Sequence, residues 1–220
     1  MKASIVRNML FALLSLSSLL GLQAASAASA QEWRFKVFLD DNWIGYHDFR
    51  LTPEGAGGYR LDTKAQFDVK FLFINAYSYR HSNTEQWGQQ CLRSIRARTD
   101  DNGREFIIRG SSDGDRFYIE NGSDRTALSS CVMTFAYWNP EILKAKRLLN
   151  SQTGEYVDVD ILPLGREQIP VRGQSVIANH YQIIAKNNAV IDLWYAAASY
   201  HWLALQSTTE SGRKIRYLLD

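Results

Sequence analysis

The sequence predicts a mainly β protein: a curved antiparallel sheet, or an open or flattened β-barrel, of about a dozen strands with one helix packed on it. Three observations predict it. Apolar and polar residues alternate over run after run, turn signals separate the runs at strand-length intervals, and a single stretch carries helix-start chemistry.

The first thirty residues stand apart from this pattern. Lys2 and Arg7 supply positive charge, residues Met9 to Leu22 form an apolar run, and the following QAASAASA offers small-x-small cleavage sites after Ala27 and Ala30. The apolar run is shorter than the roughly 20 residues a spanning helix needs, so a signal peptide is expected over residues 1–30 rather than a retained anchor. Export would place the mature chain in the periplasm, with no transmembrane segment after processing. No cysteine follows the apolar run, which removes lipoprotein-type attachment.

Residues 31–220 are expected to form one domain. The full chain has 25 Lys+Arg and 23 Asp+Glu; without Lys2 and Arg7 the balance is 23 against 23. A neutral chain has no general attraction to nucleic acid, so any electrostatic function is local. Within the domain, WRFKVFLD places Trp33, Phe35, Val37 and Leu39 on one face and Arg34, Lys36 and Asp40 on the other. FDVKFLFI repeats the pattern with Phe67, Val69, Phe71 and Phe73, and Tyr77, Tyr79 and His81 extend it. Turn signals at Asp40-Asp41-Asn42, Asp101-Asn102-Gly103, Asp113-Gly114, Asn121-Gly122 and Ser211-Gly212 favour hairpins between sequential strands. Asn139 as N-cap, Pro140 at the first helical position and EILKAKRLLN predict a helix near residues 140–149.

Two cysteines, Cys91 and Cys131, both lie in the exported part, and in an oxidising compartment they pair by default. Free buried thiols or one reactive thiol are the alternatives, but neither cysteine sits in a CxxC.

Catalytic patterns do not survive inspection. Gly110-Ser111-Ser112-Asp113-Gly114 matches G-x-S-x-G, yet the nucleophile elbow needs a helix after the turn, and DRFYIEN reads as another strand. The four histidines, His47, His81, His180 and His201, have no metal-ligand spacing. No cofactor signature appears. In LRSIRAR, Arg96 and Arg98 share a strand face and could grip phosphate or carboxylate, although a solvated sheet face balanced by neighbouring acids is the commoner use of such a stripe.

Aromatic residues make up 12% of the chain and cluster at Phe67 to Tyr79, Phe135 to Trp138 and Trp194 to Trp202. Rings in such numbers fill the core of a wide β-structure or line a cavity for a greasy ligand. A membrane-spanning barrel is disfavoured by charged strands such as LRSIRARTD, which no lipid face would accept.

The run TDDNGREF and the blocks SSCVMTFAYWNPEIL, LLNSQTGEYVDV and DLWYAAASYHWLALQSTTESGRKIRYLL together resemble an uncharacterised family of exported Gram-negative bacterial proteins, known as a domain of unknown function. The resemblance implies no catalytic residues. The closing LWY strand and final G-x-x-I-x-Y strand are also loosely similar to a second uncharacterised periplasmic family. That family is related in architecture to lipoprotein-carrier proteins, in which an open curved sheet wraps a helix, so the likeness concerns fold.

The expected function is a periplasmic binding or carrier protein for a hydrophobic, lipid-like ligand of the cell envelope, held between the concave sheet and the helix. Phe67, Phe71, Phe73, Tyr77, Tyr137, Trp138, Trp194 and Trp202 are the candidate cavity residues, with Arg96 and Arg98 as candidate headgroup contacts. The alternatives are a non-catalytic structural or assembly partner, with an envelope protein as its counterpart, and an unrecognised enzyme using His81, His180 or His201.

Overall fold

The computed structural model describes residues 29–71, 74–186, 189–209 and 211–220. The expected signal peptide, Phe73 and the side chain of Phe71 lie outside the described residues.

The alternating runs form fourteen strands. The N-terminal eight are β1 (Gln31–Leu39), β2 (Asn42–Glu54), β3 (Gly58–Phe71), β4 (Ile74–Trp87), β5 (Leu92–Asp101), β6 (Arg104–Asp113), β7 (Arg116–Asn121) and β8 (Asp124–Leu128). The rest are β9 (Arg147–Leu149), β10 (Tyr156–Val171), β11 (Gln174–Ala185), β12 (Val190–Ala196), β13 (Trp202–Thr208) and β14 (Lys214–Leu219). All pair antiparallel in one sheet, ordered β8-β7-β6-β5-β4-β3-β2-β1-β14-β13-β12-β11-β10-β9. The chain thus makes two meanders joined where β1 pairs with β14, Phe35 opposite Leu219. β8 and β9 are the outer strands, so hydrogen bonding does not close the sheet.

Period two sorts the side chains as the sequence predicts. Trp33, Phe35 and Val37 are buried on the concave face while Arg34 and Lys36 face outward. Trp33, Phe35, Phe117, Tyr195 and Trp202 are each 2% exposed or less. Burying each such ring stabilises the fold by roughly 1.5–3 kcal/mol relative to leaving it in water.

The expected helix near residues 140–149 is corrected. Asn139 does cap, its side-chain Oδ1 accepting from the Glu141 N–H at 3.1 Å, but only a 3₁₀ turn follows, Pro140–Lys144. Leu148 and Leu149 are completely buried in β9, paired with Val157 and Tyr156. Tertiary burial overrides helix propensity here: as a strand, β9 sends its neighbouring leucines to opposite faces, and both faces are covered. The strand count is corrected too, fourteen in place of about a dozen.

Residues 129–146 fill the concave face instead of a helix. Val132, Ala136 and Ile142 in this plug are 2% exposed or less. Thr134 bridges Leu149 in parallel, and the Leu92 N–H donates to the Val132 carbonyl at 2.9 Å. The disulfide between Cys91 and Cys131 ties the start of the plug to the β4–β5 turn.

The β9–β10 turn then folds the sheet over on itself. Thr99 on β5 donates to the Gln152 carbonyl at 3.3 Å, and Asn121 on β7 donates to the Thr153 carbonyl at 2.8 Å. Gly154 sits at φ +77°, where a Cβ would lie 3.0 Å from the Ile108 side chain. Positive φ and the close approach both call for glycine.

Candidate functional site

The concave interior combines apolar rings with a lane of polar groups. Across β2 to β5 the register sets His47, Ala65, His81 and Thr99 side by side, with Phe49, Thr63, Asn83 and Ala97 in the next row. His81 is 4% exposed and meets Thr99 Oγ1 at 2.9 Å through Nδ1. Burial pushes its imidazole down to about 4. His47 lies 6.4 Å from His81 between ring centroids, stacks on Phe49 at 4.1 Å, and its sealed Nε2 has no hydrogen-bond partner among the described residues. Burial first, and then the neighbouring His81, hold His47 well below the ordinary range. Both imidazoles are mostly neutral, and their hydrogen bonds among the described residues run to the Tyr217 and Thr99 hydroxyls.

Glu85 occupies the same lane, 2% exposed. It accepts from Asn83 Nδ2 and the Trp87 indole at 2.8 Å each, and from Thr134 Oγ1 of the plug at 3.3 Å. Burial raises its carboxyl, and these donors oppose the rise. The geometry makes Glu85 an anchor between sheet and plug.

The structure brings together five of the aromatic candidates as neighbours in the packed interior. Phe67 stacks on Tyr79 at 5.2 Å, and the Tyr77 hydroxyl donates to Asp101 at 2.6 Å. Tyr137 packs on Trp202 at 5.4 Å, and its carbonyl accepts from the Tyr195 hydroxyl at 2.8 Å. Trp138 meets Trp87 edge-on at 5.5 Å. The plug's own rings thus occupy the space where a ligand was expected. Phe71 ends β3 and is placed by its backbone alone. Three candidates lie elsewhere. Trp194 faces outward, stacking on His180 at 4.5 Å and donating to Glu167 at 2.7 Å. Arg96 and Arg98 also point outward, away from every interior ring.

The Gly110–Gly114 pattern lies in the β6–β7 hairpin, with Ser112 opposite Phe117. Among the described residues no three His, Cys, Asp or Glu side chains group to hold a metal ion, and no helix is long and apolar enough to cross a membrane.

An open groove of about 1110 Å³ lies on the outer side of β1–β3. Its lining includes the 55% exposed Trp43 and, where it reaches the edge of the interior packing around Val37 and Phe67, the apolar Leu39, Ile44 and Val69. Trp43 donates to the Gly45 carbonyl at 3.0 Å and packs edge-on to Tyr46 at 5.5 Å; the Arg34 guanidinium lies 4.2 Å from the Tyr46 ring centre. Gly45 is indispensable to the groove's shape, because at φ +151° its Cβ would fall 1.8 Å from the Gln66 carbonyl. Arg34, Lys64, Lys70 and Arg213 outnumber Asp48 and Asp68 around the groove. Arg34 and Arg213 are engaged with Asp48 and Asp40, whereas Lys64 and Lys70 make no ion pair among the described residues.

Sequence reasoning missed this site. The available signal was period two itself, which sets Tyr46, Asp48, Lys64 and Gln66 on one outward face beside a turn tryptophan.

Fold and groove together define a β-barrel-like protein with a packed interior and an open ligand-sized surface groove. The chain belongs to the family described as Domain of unknown function (DUF6134), whose model matches residues 35–220. A search of curated proteins finds no match. Among solved structures, the chain is similar to the beta-barrel-like protein of domain of unknown function DUF1849 from Brucella abortus. The TM-score is 0.62 at 10% identity, over 86% of this chain and 95% of that one. At that identity the likeness shows the fold alone.

Proposed function

We propose that the mature chain is a binding or carrier protein of the bacterial cell envelope, exported to the periplasm, and that it holds a hydrophobic, lipid-like ligand along the outer groove rather than inside the sheet. The observation that carries this reading is the groove itself: about 1110 Å³ with an exposed Trp43, apolar Ile44 and Val69, and two lysines that make no ion pair among the described residues. A tryptophan more than half exposed beside this apolar lining offers contact area to an acyl chain, and Lys64 and Lys70 suit an acidic headgroup. Native mass spectrometry of protein purified without detergent tests it. An adduct extractable into organic solvent, and reduced at least fivefold in Trp43→Ala, is the expected result. Adduct-free protein that stays so after incubation with envelope lipid extract would refute the reading.

One observation favours a second reading, a structural or assembly partner. Leu162, Leu164 and Ile177 on the β10–β11 hairpin are 44%, 50% and 55% exposed. β10 pairs with β9 through Tyr156–Asp158 and its Val159 N–H donates to the Lys146 carbonyl; from Asp160 to Val171 that edge has no strand partner among the described residues.

A further inference from the structure

The outer face of β5 and β6 carries an arrangement that the groove does not use. Arg96 and Arg109 are directly opposed across the ladder. Directly opposed side chains on one face have Cβ atoms about 4.5–5.5 Å apart, and like charges so placed destabilise the sheet. Most arginines here have a carboxylate: Arg34 with Asp48, Arg50 with Glu32, Arg60 with Asp62, Arg80 with Asp68, Arg125 with Glu120. Arg96 and Arg109 have none among the described residues. The carboxylate next along the row is Glu120, opposite Arg109, and it lies 3.7 Å from Arg125. Asp62, on the other side, accepts from Arg60 and from the Thr84 hydroxyl. Arg98, two residues from Arg96 on the same face, is bound to Glu105 at 2.8 Å. A depression of about 350 Å³ is bounded by Asp62, Ser82, Thr84, Arg96, Arg98 and Arg109, with the Asp62 carboxylate held by Arg60 and Thr84.

We infer that Arg96 and Arg109 form a binding site for a phosphate group, each guanidinium turning its donor fork to the anion from opposite strands. Guanidinium forks match phosphate oxygens two at a time, and the anion relieves the repulsion that the empty pair carries. Thr84 and Ser82 at the edge of the depression are the neighbouring hydroxyls. The site is separate from the groove and stands whether or not the groove binds lipid. The phosphate could come from a lipid headgroup or from a free phosphate ester.

Arginine side-chain NMR on the signal-free chain tests this, with titration by inorganic phosphate, by sn-glycerol 3-phosphate and by phosphatidylglycerol vesicles against phosphatidylcholine controls. A saturable shift of the Arg96 and Arg109 Nε–H signals with the two soluble probes assigns a free phosphate ester. A shift seen with phosphatidylglycerol vesicles alone assigns a headgroup. In either case Arg96→Gln with Arg109→Gln weakens binding at least tenfold, while Arg93→Gln with Arg116→Gln leaves it within twofold. The double variant removes a like-charge pair, so it is expected to melt no lower than the parent. No saturable shift with any probe, or binding unchanged in the Arg96/Arg109 double variant, overturns the inference.

Discussion

At the scale of single residues, the buried titratable groups set the response to pH. The folded protein holds His81 near about 4 and His47 well below its ordinary value, whereas in the unfolded chain both take up protons near pH 6.5. The contribution of these two histidines is therefore complete above about pH 6.5 and falls as the pH drops towards about 4, by roughly 3 kcal/mol for His81 alone. Urea unfolding at pH 7.5 and pH 4.5 is expected to show this loss, and His81→Gln to reduce it by about half. Glu85 acts with the opposite sign. Its carboxyl is raised by burial, so its contribution is present at low pH and lost as the pH rises through the folded value. Glu85→Leu strands the Trp87, Asn83 and Thr134 donors and should cost about 2–4 kcal/mol by the same assay. Glu85→Gln should cost under about 1 kcal/mol at pH 7, because Asn83, whose Oδ1 has no partner among the described residues, can turn its amide to accept from the glutamine. None of these roles is visible in sequence. Period two puts His81 and Glu85 on one strand face, but only the plug supplies Thr134.

At the scale of elements, strands were legible and the plug was not. Alternation places Trp33, Phe35, Phe67 and Tyr79 on the correct face because period two is a local property. The segment from Asn139 to Leu149 misled because its cap and its leucines suit a helix locally, while its fate is set by partners outside it: Tyr156 and Val157 across the next turn, and the Met133 carbonyl that accepts from the Leu149 N–H. The pairing of Cys91 with Cys131, expected from compartment chemistry, is what staples that plug. Replacing both cysteines by serine should lower stability by roughly 3–4 kcal/mol for a loop of 40 residues, measured as a shift in denaturation midpoint. Gly154→Ala tests the fold-over contact separately. It should destabilise by about 1–3 kcal/mol, since it combines a strained φ with a Cβ against Ile108.

At the scale of the whole molecule, the expected open, curved sheet is present, but its concave side is occupied by the protein's own residues 129–146 and by the turn around Gly154. That placement moves the ligand question to the outer face. Aromatic composition alone could not separate core from cavity, because a ring looks the same in either role until the long-range packing is known. Tyr137 and Trp202 proved to be packed against each other, while Trp43 stands exposed over the groove.

The most direct test of this account is photo-crosslinking with a diazirine-bearing fatty acid, followed by peptide mapping of the attachment sites. The account predicts labelling within residues 42–48 and 64–70, competed by unlabelled lipid and lost in Trp43→Ala. Labelling centred on Tyr137 and Trp202, or none that lipid competes away, would contradict it.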